Sequence, residues 1–243
     1  MSIHLFTDFG AADLYVGQVK ARLAALAPDV PVIDLLNDAP AFAMEAAAHL
    51  LVALSVYTPP GGVILAVVDP GVGGPREAVA VVADSCWYVG PDNGLLSVVA
   101  QRAAACVYWR ITWRPEDLSA SFHGRDLFTP IAALIAMGEF PAERLAPAAG
   151  LAVKLSPDDL AAAIYVDHYG NVMTGLRAAA VPETTHFRAG THHLAHARTF
   201  SAVPPGAVFC YGNSLGLVEF AANQASAAVL LGLKVGDVVV AAP

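Results

Sequence analysis

The sequence predicts an α/β N-terminal domain with a mostly parallel sheet in Rossmann-like layers, followed by a smaller all-β domain of barrel or sandwich type. Three observations predict it. Short β-branched runs alternate with longer helical stretches through the first half, the pattern of a layered parallel sheet. The run from Val63 to Val68 is wholly apolar, as a strand covered on both faces must be. From Phe140 the periodicity ends: Pro141, Pro147 and Pro157 punctuate the chain, and short β-type runs separated by Gly, Asn and Pro follow. On that change we place the α/β domain at 1–150 and the β domain at 158–243.

Taken in order, Ile3 to Thr7 reads as a strand and Asp13 to Ala27 as a helix that stops before Pro28. Val32 to Leu36 is a second strand, and an Ala-rich helix runs from about Phe42 to Val56. After the apolar third strand come strands at Val79 to Ala83 and Trp87 to Val89, a helix opened by Asp92, a strand at Val107 to Ile111, and a helix from Asp126 to Met137. In the second domain the β-type runs are Ala161 to Val166, Val208 to Tyr211, Leu217 to Phe220 and Val238 to Val240.

Composition narrows the function classes. The 243 residues carry 21 acidic against 13 basic side chains, a formal charge of −8, which argues against a nucleic-acid partner because phosphates need a basic face. Only 14% of residues are charged, against about a quarter in ordinary domains. Part of the outer surface is therefore expected to be buried against other subunits. No membrane partner is expected: apolar stretches break off before the ~18 residues a span needs, as Glu45 and His49 interrupt Ala41 to Tyr57. The start has no basic stretch leading into an apolar one, which points to the cytoplasm. Cys86, Cys106 and Cys210 lie far apart and suit neither a disulfide framework nor a zinc site; they read as small buried hydrophobes.

In open α/β sheets ligands gather beyond the carboxyl ends of the strands, and here those ends are polar. Strand one runs into Thr7-Asp8-Phe9-Gly10, with Asp13 and Tyr15 behind. A carboxylate there can accept from both ribose hydroxyls; equally, Asp8 or Asp13 can cap the next helix. The third strand runs into Asp69-Pro70-Gly71-Val72-Gly73-Gly74-Pro75-Arg76. Arg76 could fold back toward Asp69 across this glycine turn, as a site or as a mere surface ion pair. Ser121-Phe122-His123-Gly124-Arg125-Asp126 precedes a helix. His123 titrates near neutrality and suits a substrate contact, whereas Asp126, like Asp92 in Asp92-Asn93-Gly94-Leu95, reads as a helix cap.

In the second domain, Asp167-His168-Tyr169-Gly170-Asn171 gathers a carboxylate, an aromatic face and a carboxamide. These can hold an ammonium, stack on a base and read a base edge, or simply form a hairpin turn. Tyr211-Gly212-Asn213-Ser214-Leu215-Gly216 offers the same choice. His192, His193 and His196 lack zinc-helix spacing and read as solvated.

Together and in this order, these segments resemble the S-adenosylmethionine hydroxide adenosyltransferase family, related to fluorinase and chlorinase, over nearly the whole chain. The match runs from Thr7-Asp8-Phe9-Gly10 through Val67-Val68-Asp69-Pro70-Gly71-Val72-Gly73 with Arg76, Asp92-Asn93-Gly94-Leu95-Leu96 and Phe122-His123-Gly124-Arg125-Asp126, to Asp167-His168-Tyr169-Gly170-Asn171 and Asn213-Ser214. The resemblance implies hydrolysis of S-adenosyl-L-methionine to adenosine and L-methionine by in-line attack of water or hydroxide on C5′, with no metal and no cofactor. The sulfur leaves as a neutral thioether, so catalysis consists of aligning and activating water and excluding solvent.

The family's polar trio falls on Asp69, Arg76 and His123. Asp69 could accept the water's proton or orient the water, while Arg76 and His123 fix it; which group takes the proton stays open. Asp8 corresponds to the ribose-binding carboxylate. Asp167 and Ser214, beside Asn213, match the methionine end, and Tyr169 and Asn171 the surroundings of adenine. Phe42 lies where relatives place an aromatic against the substrate. The resemblance also implies a homotrimer with its sites between subunits.

Three departures stand out. Tyr169 replaces a common Phe, Thr174-Gly175 a common Thr-Asn, and Leu215 the arginine of fluorinase. The halogenases carry tyrosine in place of Asp69, whose charge would repel halide, so a halogenase is disfavoured. A non-catalytic S-adenosylmethionine or adenosine sensor would not require the trio. A metal-dependent hydrolase built on Asp8, Asp13 and Asp69 would be abolished by a chelator.

Overall fold

The computed structural model describes residues 1–242. The chain divides into two compact units, Met1–Pro157 and the stretch from Asp158 onward.

The first unit is built on β1 (Ile3–Thr7), α1 (Leu14–Leu26), β2 (Val32–Leu36), α2 (Met44–Ser55), β3 (Val63–Val67), β4 (Ala78–Ala83), β5 (Cys86–Pro91), α3 (Ser97–Arg102), β6 (Cys106–Ile111), α4 (Thr129–Ala136) and β7 (Leu145–Ala148). Its seven-stranded sheet has the order β2-β1-β3-β5-β4-β6-β7. The four strands β2, β1, β3 and β5 pair in parallel, and β4, β6 and β7 extend the sheet through antiparallel pairings. The sheet is therefore mixed, with its parallel half holding the strand ends expected to carry the site.

Every residue of β1 and β3 is buried. Alternate side chains of these strands point to opposite faces, so Ile3, Leu5, Val63, Leu65 and Val67 share one core with Val16, Val19 and Leu23 of α1 and Ile131, Ala132 and Ile135 of α4. The intervening Phe6, Ile64 and Ala66 are buried too, and the second face is thereby closed as well. On the antiparallel half, Trp87 and Trp109 stack with centroids 5.0 Å apart, and Phe140 packs edge-on to Trp109.

Two helix starts differ from expectation. Asp92 caps nothing: its carboxylate accepts from the backbone N–H groups of Ala152 and Val153, and the helix begins only at Ser97. Asp126 lies inside a π-helical turn, Gly124–Phe128, that leads into α4; it accepts from Ser119 N and pairs with Arg125.

The second unit carries β8 (Leu160–Val166), β9 (Val172–Arg177), β10 (His186–Ala189), β11 (His192–Leu194), β12 (Val208–Gly212), β13 (Leu217–Ala222), α5 (Ala227–Leu231) and β14 (Val240–Ala242). They form a four-stranded antiparallel sheet, β12-β13-β9-β8, and a three-stranded one, β11-β10-β14. Both sheets supply one core, where Phe187 and Phe220 meet at 5.1 Å, as a small sandwich does. All three cysteines are free; Cys86 and Cys210 are buried as expected, while Cys106 is only half-buried. His192 and His193 are exposed, but His196 is half-buried and lines a cavity.

Candidate active site

The site of the first unit forms where the chain leaves β1 and β3. Asp8 N donates to Val67 O (3.3 Å), which carries the β1–β3 pairing one residue further and sets the Asp8 side chain beside the end of β3. The exit of β1 is tied to the exit of β2: Thr7 Oγ1 donates to Asn37 Oδ1 (2.8 Å), and Gly10 N to Asn37 O (2.7 Å). Asp13, in contrast, caps α1 by accepting from Leu14 N. Of the two uses open to these carboxylates, capping falls to Asp13 and leaves Asp8 available.

Past β3 the chain turns back through Asp69 to Arg76. Gly73 makes this possible: its φ is +79°, and a Cβ there would stand 2.6 Å from Ala120 O, far inside contact distance. That close approach seats the turn against the 119–125 loop, which carries His123. Arg76 Nε lies 3.1 and 3.0 Å from the two Asp69 carboxylate oxygens, and Arg76 Nη2 also donates to Asp69 Oδ2. The same Nη2 stands 3.0 Å from His123 Nδ1, and the guanidinium lies over the Phe128 ring. The Asp69 and Arg76 side chains are 5% and 11% exposed, so this is a shielded pair, not the surface staple that a glycine turn alone suggests. Gly124 packs close to the Phe9 ring, where a Cβ would stand 2.7 Å from Cζ and the ring would have to shift.

A guanidinium has only donors, so His123 Nδ1 must accept from Arg76. Burial and the Arg76 charge push the His123 pKa below its ordinary value, against a smaller opposing pull from Asp69. His123 is therefore neutral near pH 7, with its proton on Nε2. Asp8 moves the other way: burial raises its pKa to about 6, a backbone hydrogen bond opposing and the Asp69 charge adding.

Asp8, Asp69 and His123 line a cavity of about 510 Å³, walled by Phe9, Tyr15 and Phe122. Phe122 meets both other rings edge-on at 5.5 Å. Neither Arg76, which reaches the site through Asp69 and His123, nor Phe42 lines this cavity. Phe42 follows β2, is 85% exposed, and has a positive φ of 62°, which a non-glycine residue rarely adopts. Sequence reasoning did not assign Asn37, whose placement just past a strand end was the available signal, nor the aromatic wall.

In the second unit, Asp167–Asn171 is the β8–β9 hairpin connection, yet it also lines a cavity. Asp167 Oδ1 accepts from Tyr169 N and Asn171 N, and Oδ2 from Asn171 Nδ2. Asp167, Tyr169, Asn171, Asn213 and Ser214 all border the same space of about 750 Å³. The hairpin reading and the binding reading thus apply to the same residues. Tyr211, which opens the 211–216 segment, borders it too, as does Glu219, which no motif singled out; an acid within an otherwise apolar run, Leu217 to Ala222, was the signal for it. Among the described residues, no group of three or more His, Cys, Asp or Glu could hold a metal ion, and no helix is long and apolar enough to cross a membrane.

An α/β unit with a carboxylate, guanidinium and imidazole beyond its parallel strands, and a β unit with an acidic cavity of its own, define a two-domain protein built around small-molecule sites. Residues 3–146 match the model of the SAM hydroxide adenosyltransferase N-terminal domain and residues 161–240 that of its C-terminal domain. The chain belongs to the SAM hydroxide adenosyltransferase family. It is 39% identical to the (R)-S-adenosyl-L-methionine hydrolase of Thermus thermophilus over 96% of each chain. It is 38% identical to that of Salinispora arenicola, over 97% of this chain and 95% of the relative. A crystal structure of an uncharacterised conserved protein from Thermotoga maritima matches with a TM-score of 0.88 at 30% identity, covering 99% of this chain and 100% of that one.

Proposed function

We propose that the chain hydrolyses S-adenosyl-L-methionine to adenosine and L-methionine, water attacking C5′ in line with the departing sulfur. Family membership and the hydrolase names of relatives at 35–39% identity support the reaction. The observation that carries the mechanism is the contact of Asp69, Arg76 and His123 beside a cavity that Asp8 also lines.

The roles follow from what each group can donate or accept. His123, accepting at Nδ1, offers only its Nε2–H and orients the water as a donor. Asp69 is then the member of the trio able to take the water's proton. Arg76 holds Asp69 in place through its guanidinium contacts, and its charge favours hydroxide character in the nucleophile. Asp8 in its ionised form accepts from the ribose hydroxyls. Phe9, Tyr15 and Phe122 keep bulk water out, so the attack of an anionic oxygen on a cationic sulfonium gains from their mutual neutralisation. We assign the methionine end to Asp167, Asn213 and Ser214, the adenine to Tyr169 and Asn171, and a substrate contact to Phe42.

The same reading includes a homotrimer in the cytoplasm. The small share of charged residues and the exposed Phe42, Tyr169, Val229 and Val238 support assembly, and three unpaired thiols suit a reducing compartment. The test is to incubate chelator-treated protein with S-adenosyl-L-methionine in ¹⁸O-water, with and without chloride. Adenosine labelled at its 5′ oxygen, plus methionine, is expected under both conditions. A 5′-chloro nucleoside, loss of activity with chelator, or label elsewhere would overturn the proposal.

A further inference from the structure

The second unit holds a buried acid that the reading above does not use. Glu219 sits in β13, all six of whose residues are buried, and is itself 2% exposed. Its carboxylate receives Tyr211 Oη at 2.6 Å on one oxygen and Asn213 Nδ2 at 2.8 Å on the other. Both donors are neutral. Asp167, across the same cavity, is likewise held by neutral N–H donors. Among the described residues that line this space, none is Lys, Arg or His. Two carboxyl groups therefore face one cavity with no cation among its described lining residues. Burial pushes the Glu219 pKa up, the Asn213 and Tyr211 hydrogen bonds opposing and the Asp167 charge adding, so its ionised form is costly unless a ligand supplies the opposite charge.

An independent feature points to a ligand in the same place. Asn171, 5% exposed, borders the cavity with its Oδ1 lacking any hydrogen-bond partner. A buried acceptor left open marks a position for a ligand N–H.

We propose that Glu219 is a specificity-determining residue that makes this cavity prefer a sulfonium substrate over uncharged relatives of the same shape. The inference rests on the hydrolase reading. In that reaction the substrate carries a sulfonium charge, while adenosine is neutral and methionine a zwitterion of no net charge. A negative charge on Glu219, which the bound sulfonium itself favours against the cost of burial, thus holds the substrate and weakens its grip once the carbon–sulfur bond breaks. Glu219 also acts through a neighbour. Asn213, whose amide it receives, accepts Leu215 N and Leu217 N on its own Oδ1, both at 3.0 Å, and so shapes the turn that carries Ser214.

Glu219→Gln separates the two effects. Its carboxamide can still accept from Asn213, and the Tyr211 hydroxyl can rotate to receive from it, so the shape stays while the charge goes. The measurements are the KM for S-adenosyl-L-methionine and the inhibition constant of the thioether analogue, S-adenosyl-L-homocysteine, in wild type and variant. Removal of one nearby charge from a shielded site is expected to raise the former about tenfold and to leave the latter within about twofold. Equal weakening of both ligands, or of neither, would overturn the proposal. Wild type that forms no adenosine would instead sink the hydrolase reading; direct calorimetric titration of both ligands into the two proteins would then still decide whether Glu219 discriminates charge.

Discussion

Asp69→Asn is the most informative perturbation of the polar trio, because the structure assigns it two separable costs. Asn keeps the volume and one acceptor oxygen but removes the charge opposite Arg76, whose side chain is only 11% exposed. Breaking a buried pair by neutralising one partner costs about 3–5 kcal/mol. The surviving acceptor places this case near the lower figure, and about 3 kcal/mol corresponds to a fall of about 6–12 °C in the thermal midpoint of a unit this size. Loss of the proton acceptor should in addition lower kcat by about 10²–10⁴, with a much smaller effect on KM. Adding Arg76→Met to make a double variant removes the stranded cation, so most of the thermal loss should return while activity stays absent. Scanning calorimetry and initial-rate kinetics on the wild type, both single variants and the double variant give the full cycle. If Asp69→Asn keeps wild-type kcat, or if the double variant recovers activity together with stability, the reasoning about this trio is wrong.

Other expectations can be checked on the same material. Adenosine binding should be flat above about pH 7 and weaken as pH falls through about 6, because protonation of Asp8 removes acceptor capacity for the ribose hydroxyls; Asp8→Asn should bind weakly and without that pH dependence in calorimetric titrations. His123→Ala should lower kcat by about a hundredfold or more with KM little changed. In the wild type, loss of kcat from imidazole protonation should fall below pH 6.5, since burial and Arg76 lower that pKa; an inflection above 6.5 would contradict the neutral tautomer. Phe42→Gly should stabilise the fold by about 1 kcal/mol by relieving the positive φ, yet raise KM; a variant both more stable and fully active would remove Phe42 from the site.

The legible parts of this fold were those where one force dominates. β3 is apolar throughout and β1 is buried throughout, His4 and Thr7 being its only polar residues, because both faces are covered, and the polar exits Asp8 and Asp69 stand out against that background. β7 was not legible: Pro147 lies within it, which is tolerable only because β7 is an edge strand paired on one side. β9, β10 and β11 went unread because Gly175 and the polar His186, Arg188, His192 and His193 blur their alternation. At Asp92 and Asp126 a local rule, carboxylate before helix, lost to longer-range partners at Ala152, Val153 and Ser119 that no sequence window contains. The folding of Arg76 back to Asp69 was legible in the glycine turn between them, but their meeting with His123 only through family resemblance, since it depends on Gly73 docking against Ala120.

The stacked Trp87–Trp109 pair has a practical consequence. With Trp113 it completes the chain's tryptophans, and all three lie before residue 157. Emission excited at 295 nm therefore originates wholly in the first unit, while the β unit, which holds Tyr165, Tyr169 and Tyr211 but no indole, is silent at that wavelength. Comparing indole emission with far-ultraviolet dichroism along one denaturant titration separates the unfolding of the two units without a label or a truncation: coincident curves mean one cooperative transition, and displaced curves give each unit its own midpoint.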